Sequence, residues 1–176
     1  MTDRINQTSC CFTGHRPNKL PWGKNEADPR CLALKQWIAA AVDQACRDGY
    51  RHFICGMAQG CDLYFCEAVL AFRTSHPDIR IEAAIPYPGQ ADRWGSAQRA
   101  RWQSLTEQCD YRTVVQPAYD RGCMLRRDRY MVSRSGRIIA VFNGTTGGTM
   151  QTLAYAMQSG LEIVRIDPDK LQLSAK

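Results

Sequence analysis

Apolar residues along this chain follow two alternating patterns: short β-prone runs that stop at glycine-bearing loops, and longer stretches whose apolar side chains recur at helical spacing. Thr8 to Phe12 predicts a first strand entering the loop Thr13-Gly14-His15-Arg16-Pro17. Pro17, Pro21, Gly23 and Pro29 keep the next segment irregular. From Arg30 to Asp48 the positions Leu32, Leu34, Trp37, Ile38, Ala41, Val42 and Ala45 predict a helix, which Gly49 ends. Arg51 to Cys55 predicts a second strand, Gly56 to Asp62 a loop, and Asp62 to Arg73 a second helix. The alternation continues with a strand at Arg80 to Ile85, a loop at Pro86 to Gly89 and a polar helix from Ala91 to Gln108 that carries Trp94 and Trp102. Tyr111 to Val115 reads as a fourth strand, Gly122 to Ser135 as a helix and Arg137 to Phe142 as a fifth strand. The glycine-rich loop Asn143 to Thr149 opens a helix at Thr149 to Ser159, strand Leu161 to Ile166 closes the pattern, and Asp167 to Lys176 reads as a loose tail.

Strands alternating with helices predict a doubly wound, Rossmann-like α/β fold. Its mainly parallel sheet carries helices on both faces, where right-handed crossovers place them. Such sheets receive ligands beyond the carboxyl ends of their strands, where the strand order reverses. The length of 176 residues fits one domain spanning residues 1–176, with no repeat or linker inside it. No apolar run approaches the roughly 18 to 20 residues of a membrane span, and Met1 to Gln7 lacks the plan of a signal peptide. A cytoplasmic protein without a membrane partner is expected, and self-association is left open.

Nine cysteines make a metal site or a disulfide set worth testing. Zinc sites show paired short spacings, whereas Cys10 and Cys11 are adjacent and Cys55, Cys61 and Cys66 straddle a loop and a helix. An odd count without a signal peptide argues against a disulfide framework, so most are read as small buried hydrophobes, and no metal or cofactor is assigned.

Candidate chemistry lies in the loops that follow strands. In Asn143-Gly144-Thr145-Thr146-Gly147-Gly148-Thr149 the glycines let backbone approach a ligand, and the free N–H groups at the helix start favour phosphate. The plainer alternative is a tight turn with Thr149 as a helix cap. In Gly56 to Asp62, Gly60 would permit close approach and Asp62 would cap the helix or hold a ribose hydroxyl. After the first strand, Gly14, His15 and Arg16 offer phosphate or base contacts, with His15 equally readable as a structural hydrogen-bonder. Cations at the start of the helix from Gly122 oppose the helix dipole and need compensation, which an anion would supply, although Arg126 and Arg129 also suit a solvated basic face.

At Cys11 to Pro17, Phe53 to Asp62, Ala84 to Pro86, Met124 to Val132 and Ala140 to Thr149 the chain resembles the YpsA-like branch of the SLOG superfamily, which also holds the DprA DNA-processing proteins and the LOG phosphoribohydrolases. The resemblance implies a bacterial, Rossmann-like protein with a nucleotide-related ligand. The LOG enzymes carry an M-x-x-R-K helix and a P-G-G-x-G-T-x-x-E loop with catalytic arginine and glutamate. Arg127 falls on that arginine, Asp128 on the lysine and Thr152 on the glutamate, and the opening P-G-G is missing. The catalytic residues are therefore unassigned, with Glu67, Glu82 and Glu107 standing beside no recognised loop.

The expected activity is binding of a nucleotide or nucleotide derivative at the glycine loops, with Arg127 neutralising phosphate. N-glycosidic hydrolysis of a nucleoside monophosphate and DprA-like DNA binding are the alternatives. A net charge of +6 and the lack of a recognised reading helix argue against DNA as a partner.

Overall fold

The computed structural model describes residues 8–171. Six strands, β1 (Ser9–Gly14), β2 (His52–Cys55), β3 (Arg80–Ile85), β4 (Tyr111–Val114), β5 (Arg137–Val141) and β6 (Glu162–Ile166), form one sheet in the order β4-β3-β2-β1-β5-β6. Every pairing is parallel. Five helices connect them: α1 (Pro29–Arg47), α2 (Cys61–Arg73), α3 (Ser96–Gln108), α4 (Cys123–Ser133) and α5 (Gly148–Gln158). The chain first winds outward from β1 to β4, then crosses back to β5 on the other side of β1. The order therefore reverses between β1 and β5, and the loops leaving those two strands part company there.

Alternation along the strands sorts the core into two layers. Cys10, Phe12, Phe53, Cys55, Ile81, Ala83, Ile139 and Val141 face α1, α2 and α3, where Leu34, Ile38, Leu63, Phe65 and Leu105 meet them. Cys11, Ile54, Ala84, Ile138 and Ala140 face α4 and α5, against Met131, Val132, Leu153 and Ala156. Burial on both faces explains why β5, Arg-Ile-Ile-Ala-Val, shows no polar alternation.

Boundaries differ from the sequence reading where pairing or turn geometry decides. β1 extends to Gly14 because Thr13 and Gly14 pair with Ala140 and Val141 of β5. α3 starts at Ser96 rather than Ala91, since turns at Gln90, Asp92 and Trp94 occupy the preceding segment. Asp28 caps α1 by accepting from the Arg30 N–H at 2.9 Å. The irregular segment before α1 is not loose: Leu20 and Trp22 are buried in the larger layer, and Arg101 of α3 reaches both Glu26 (2.8 Å) and Glu67 (2.7 Å). The tail reading covers residues 167–176, of which 172–176 lie outside the described residues. Among the described residues no helix is long and apolar enough to cross a membrane.

Phe12 is fully buried and stacks on Phe65 with ring centroids 4.6 Å apart, joining the central strand to α2. Phe12→Ala is expected to lower unfolding free energy by about 3–5 kcal/mol, read by urea denaturation. A loss below about 1 kcal/mol would show that this ring pair is not central to the core.

Candidate ligand cleft

Strand order alone selects the place: a cleft of about 190 Å³ opens beyond the carboxyl ends of β1 and β5. Gly14, His15 and Arg16 reach it from the end of β1, Asp62 from α2, Arg127 from α4, and Gly148 with Thr149 from the start of α5. Three candidate loops and the cationic helix thus converge on one cavity, from segments far apart in sequence.

The remaining candidates hold the walls rather than line them. Gly56 follows β2, and its carbonyl accepts hydrogen bonds from the buried Arg127 guanidinium and from Gln90. A Cβ there would meet Arg127 Nη1 at 2.6 Å, so this glycine serves the arginine's close approach. Gly60, at φ +86°, precedes α2 and packs against Pro17 and the His15 carbonyl. Asn143 contacts His15 Nε2 at 2.7 Å through Oδ1, which also accepts from the backbone N–H and hydroxyl of Thr145. Gly144, Thr145, Thr146 and Gly147 form the turn before α5. Gly147 is its N-cap, with no side-chain cap, and Thr149 lies inside the first turn, so the capping alternative for Thr149 does not hold.

Electrostatics separate the two ionisable candidates. Burial holds the His15 pKa below its ordinary value, which leaves the ring neutral at physiological pH and suited to positioning through Asn143 rather than to neutralising phosphate. Burial pushes the Asp62 carboxyl up to about 6, against the opposing pull of Arg127. One Asp62 oxygen accepts from the Ala58 N–H at 3.0 Å. Burial also works against the Arg127 charge, but Asp128 and Asp62 outweigh it and the guanidinium stays firmly charged.

Sequence reasoning gave no site role to two charged residues of the cleft. Lys19 follows Arg16 in the 3-10 turn Pro17–Lys19, and its ammonium donates to the Thr146 carbonyl beside Gly147. The segment's prolines drew attention to irregularity and away from this cation. Asp128 also lines the cleft; its carboxylate is held by Arg127 Nε at 2.7 Å and by the Thr152 hydroxyl at 2.9 Å. The acid missing at Thr152 is thus present on the neighbouring helix, tied to a guanidinium. Glu67 pairs with Arg101 instead, and Glu82 accepts from Thr113 and Tyr130 in a separate buried network. Arg126 pairs with Asp120 and Arg129 lies over the Tyr155 ring, which places both on an outer face.

These features define a Rossmann-like α/β protein with a polar cleft at the reversal of its sheet. The chain belongs to the YspA SLOG family, whose sequence profile matches residues 10–171. It is 26% identical over 157 residues to the uncharacterised SPbeta prophage-derived protein YoqJ of Bacillus subtilis, covering 81% of this chain and 92% of that protein. It is 23% identical over 133 residues to a UPF0398 protein of Staphylococcus saprophyticus, covering 74% of this chain and 70% of the relative. Among solved structures, DNA processing protein A of Streptococcus pneumoniae superposes with a TM-score of 0.59 at 13% identity over 93% of this chain, which spans about half (51%) of that protein. DNA processing protein A of Helicobacter pylori, described for its single-stranded DNA binding mode, gives 0.58 at 15% identity over 94% of this chain and 68% of its own.

These neighbours overturn the argument against DNA as a partner. That argument weighed whole-chain charge and the absence of a reading helix. Binding of single strands needs no helix in a groove; it needs cations along a backbone path and aromatic faces for bases, features that a net charge averages away.

The raised Asp62 value has a consequence for stability. Its folded pKa of about 6 lies above the ordinary 3.8, so its contribution is fully present below pH 3.8 and is lost as pH rises through about 6. His15, with a lowered value, acts in the opposite sense as pH falls below its ordinary 6.5. The difference between wild type and Asp62→Asn isolates the carboxyl. The variant is expected to melt higher than wild type at pH 7.5, with the gain shrinking toward pH 4. A difference independent of pH would show that Asp62 ionises as an ordinary exposed acid.

Proposed function

We propose that the cleft binds the phosphate and ribose of a nucleotide or nucleotide derivative. One observation carries this reading. The Lys19 ammonium sits at Gly147, beside the uncapped start of α5, and the cleft in front of Gly148 is open. An ammonium, orphan backbone N–H groups and the positive end of a helix dipole then face the same space, which suits an anion of phosphate size. Asp62 supplies an acceptor or donor for a ribose hydroxyl at the far wall.

Gly148 gives a clean test. A Cβ there meets nothing within 4 Å and the backbone is not left-handed, so Gly148→Val leaves the fold intact while filling the phosphate approach. A purine nucleotide or an ADP-ribose-like compound at about 100 times its Kd is expected to stabilise the wild type by about 2.7 kcal/mol. For a chain of this size that is roughly 5–10 °C in melting temperature. Gly148→Val should abolish the shift with an unchanged circular dichroism spectrum. No shift across a millimolar nucleotide panel, or an undiminished shift in the folded variant, would sink the reading.

A second reading, single-stranded DNA, is favoured by the run of cavities beside the cleft and by the DNA-processing neighbours. A cavity of about 260 Å³ shares Arg16, Asn18, Ala58 and Met124 with the cleft, and another of about 250 Å³ shares Pro17, Lys24, Gln59 and Trp94 with the second. Arg16, Lys24 and Arg93 along this path form no ion pair with a described carboxylate, and Trp94 offers a partly exposed ring. On this reading Trp94→Ala weakens binding of a short oligothymidylate by about 1–3 kcal/mol, and affinity falls steeply with salt. Fluorescence anisotropy checks both. Salt-independent binding, or binding indifferent to Trp94, would remove this reading and leave the mononucleotide one standing.

A further inference from the structure

Away from the open cleft, three thiols meet between β2, α2 and the end of α3. Cys66 of α2 and Cys109, the residue that closes α3, place their sulfurs 3.9 Å apart. Cys55, ending β2, lies near enough to Cys66 to act on its ionisation, and its thiol donates to the Asp62 carbonyl at 3.1 Å. Every cysteine of the chain is a free thiol, and Cys109 differs from the others in being partly exposed where they are buried.

The two sulfurs of the closest pair have different environments. The contact with Cys66, in which either sulfur can donate, and the positive charge of Arg73 hold Cys109 below the ordinary thiol value against burial and the nearby Asp110 carboxylate. The Cys109 thiol also reaches the Leu105 carbonyl at 3.3 Å. Arg73 is held by Asp110 at 2.8 Å and by the Gln108 carbonyl at 3.0 Å, and its charge favours the Cys109 thiolate while that of Asp110 opposes it. Cys66 is pushed up by its contact with Cys109, by the nearby Cys55 and by burial. A thiolate is the nucleophile toward peroxides, and access decides which thiolate reacts. The outer sulfur is therefore the attacking one, and the inner sulfur holds a proton within reach of it.

We propose that Cys109 and Cys66 form a two-electron oxidation site that reacts with hydrogen peroxide and closes to a disulfide. The Cys109 thiolate attacks the peroxide; an S–O bond forms, the O–O bond breaks, and the departing oxygen leaves as water after taking a proton. Cys109 is then a sulfenic acid. The Cys66 sulfur attacks the Cys109 sulfur, the S–S bond forms, the S–O bond breaks, and the hydroxide leaves with the Cys66 proton as a second water. Two thiols have lost one electron each and the peroxide has gained both. The sulfurs already lie within 3.9 Å of each other, so closure brings them together from contact distance. The resulting loop joins positions 43 residues apart, a span over which a cross-link is expected to raise the melting temperature by about 10 °C.

The test uses the full chain, reduced, freed of reductant and treated with one equivalent of hydrogen peroxide before alkylation. Intact mass is expected to show loss of about 2 Da and two thiols protected from alkylation. Peptide mapping should join the Cys66 and Cys109 peptides, and dithiothreitol should reverse both changes. In Cys66→Ala, which keeps a small apolar side chain in the core, Cys109 should stop at a sulfenic acid captured by dimedone. Cys109→Ser, at a partly exposed position, should show neither product. Three results overturn the proposal: unreacted thiols in the wild type, Cys109 driven to sulfinic or sulfonic acid without the link, or a link between other cysteines. The wild-type mapping decides the matter even where a variant folds poorly.

Discussion

The cleft edge of the sheet depends on one buried cation. Arg127 projects from α4 into the cleft lining, donates to the Gly56 carbonyl just after β2 and to Asp128 in its own helix, and its charge pulls on Asp62. Taking a guanidinium out of water is costly unless charge and hydrogen bonds are returned to it, and removing one partner of such a pair costs about 3–5 kcal/mol. The surrounding sequence obeys that demand. Gly56 must lack a side chain for the guanidinium to fit, Thr152 must hold the second oxygen of Asp128, and Gln90 shares the same carbonyl from the far side. The loop after β2, helix α4 and helix α5 are thereby locked to one another before any ligand is considered.

Much of the architecture was readable because it follows from periodicity and from glycine placement. β2 and β5 end where their glycine loops begin, and two layers of helices follow from right-handed crossovers between parallel strands. Convergence of the loops after β1 and β5 was readable for the same reason, since a doubly wound sheet brings them together where its order reverses. Functions of individual glycines were less readable. Gly56 and Gly148 look alike in a sequence, yet one accommodates a protein side chain and the other faces open space. Nothing local distinguishes them, because the neighbour that fills the space beside Gly56 is Arg127, far along the chain. Lys19 escaped notice for a related reason: its target, Thr146, lies on a distant loop. Asp128 was read against a lysine position and so as a loss, whereas the fold turns it toward Thr152 and returns a carboxylate to the cleft.

Charge illustrates the limit of whole-chain quantities. Of the cations near the site, Arg101, Arg126 and Arg127 are each spent on a carboxylate, and Arg129 on a ring. Arg16, Lys19, Lys24 and Arg93, all on the segment after β1 or the one before α3, line the cavities without an ion pair to a described carboxylate. That first segment is fixed in place by Leu20 and Trp22 in the core and by the Arg101 bridge to Glu26 and Glu67. An irregular stretch with four helix-breaking residues thus becomes one rigid wall of a groove. Its order comes from tertiary anchors, which a reading of local propensity does not contain.

The positive wall and the buried acid also act on each other. Lys19 meets the α5 start through a carbonyl, with no described carboxylate to neutralise it, so an ammonium and the positive end of a dipole share one space. Across the cleft Asp62 sits in an environment that already favours its proton, with a pKa of about 6. On the proposed reading a phosphate entering between them satisfies the first side and repels the second. The repulsion raises the proton affinity of Asp62 further, so occupancy of the phosphate position and protonation of Asp62 favour each other, by the same factor in both directions. A protonated Asp62 can donate to a ribose hydroxyl, while an ionised one can only accept. On the proposed reading the acid thus keeps a hydrogen bond to the sugar in either state while the cations opposite hold the phosphate.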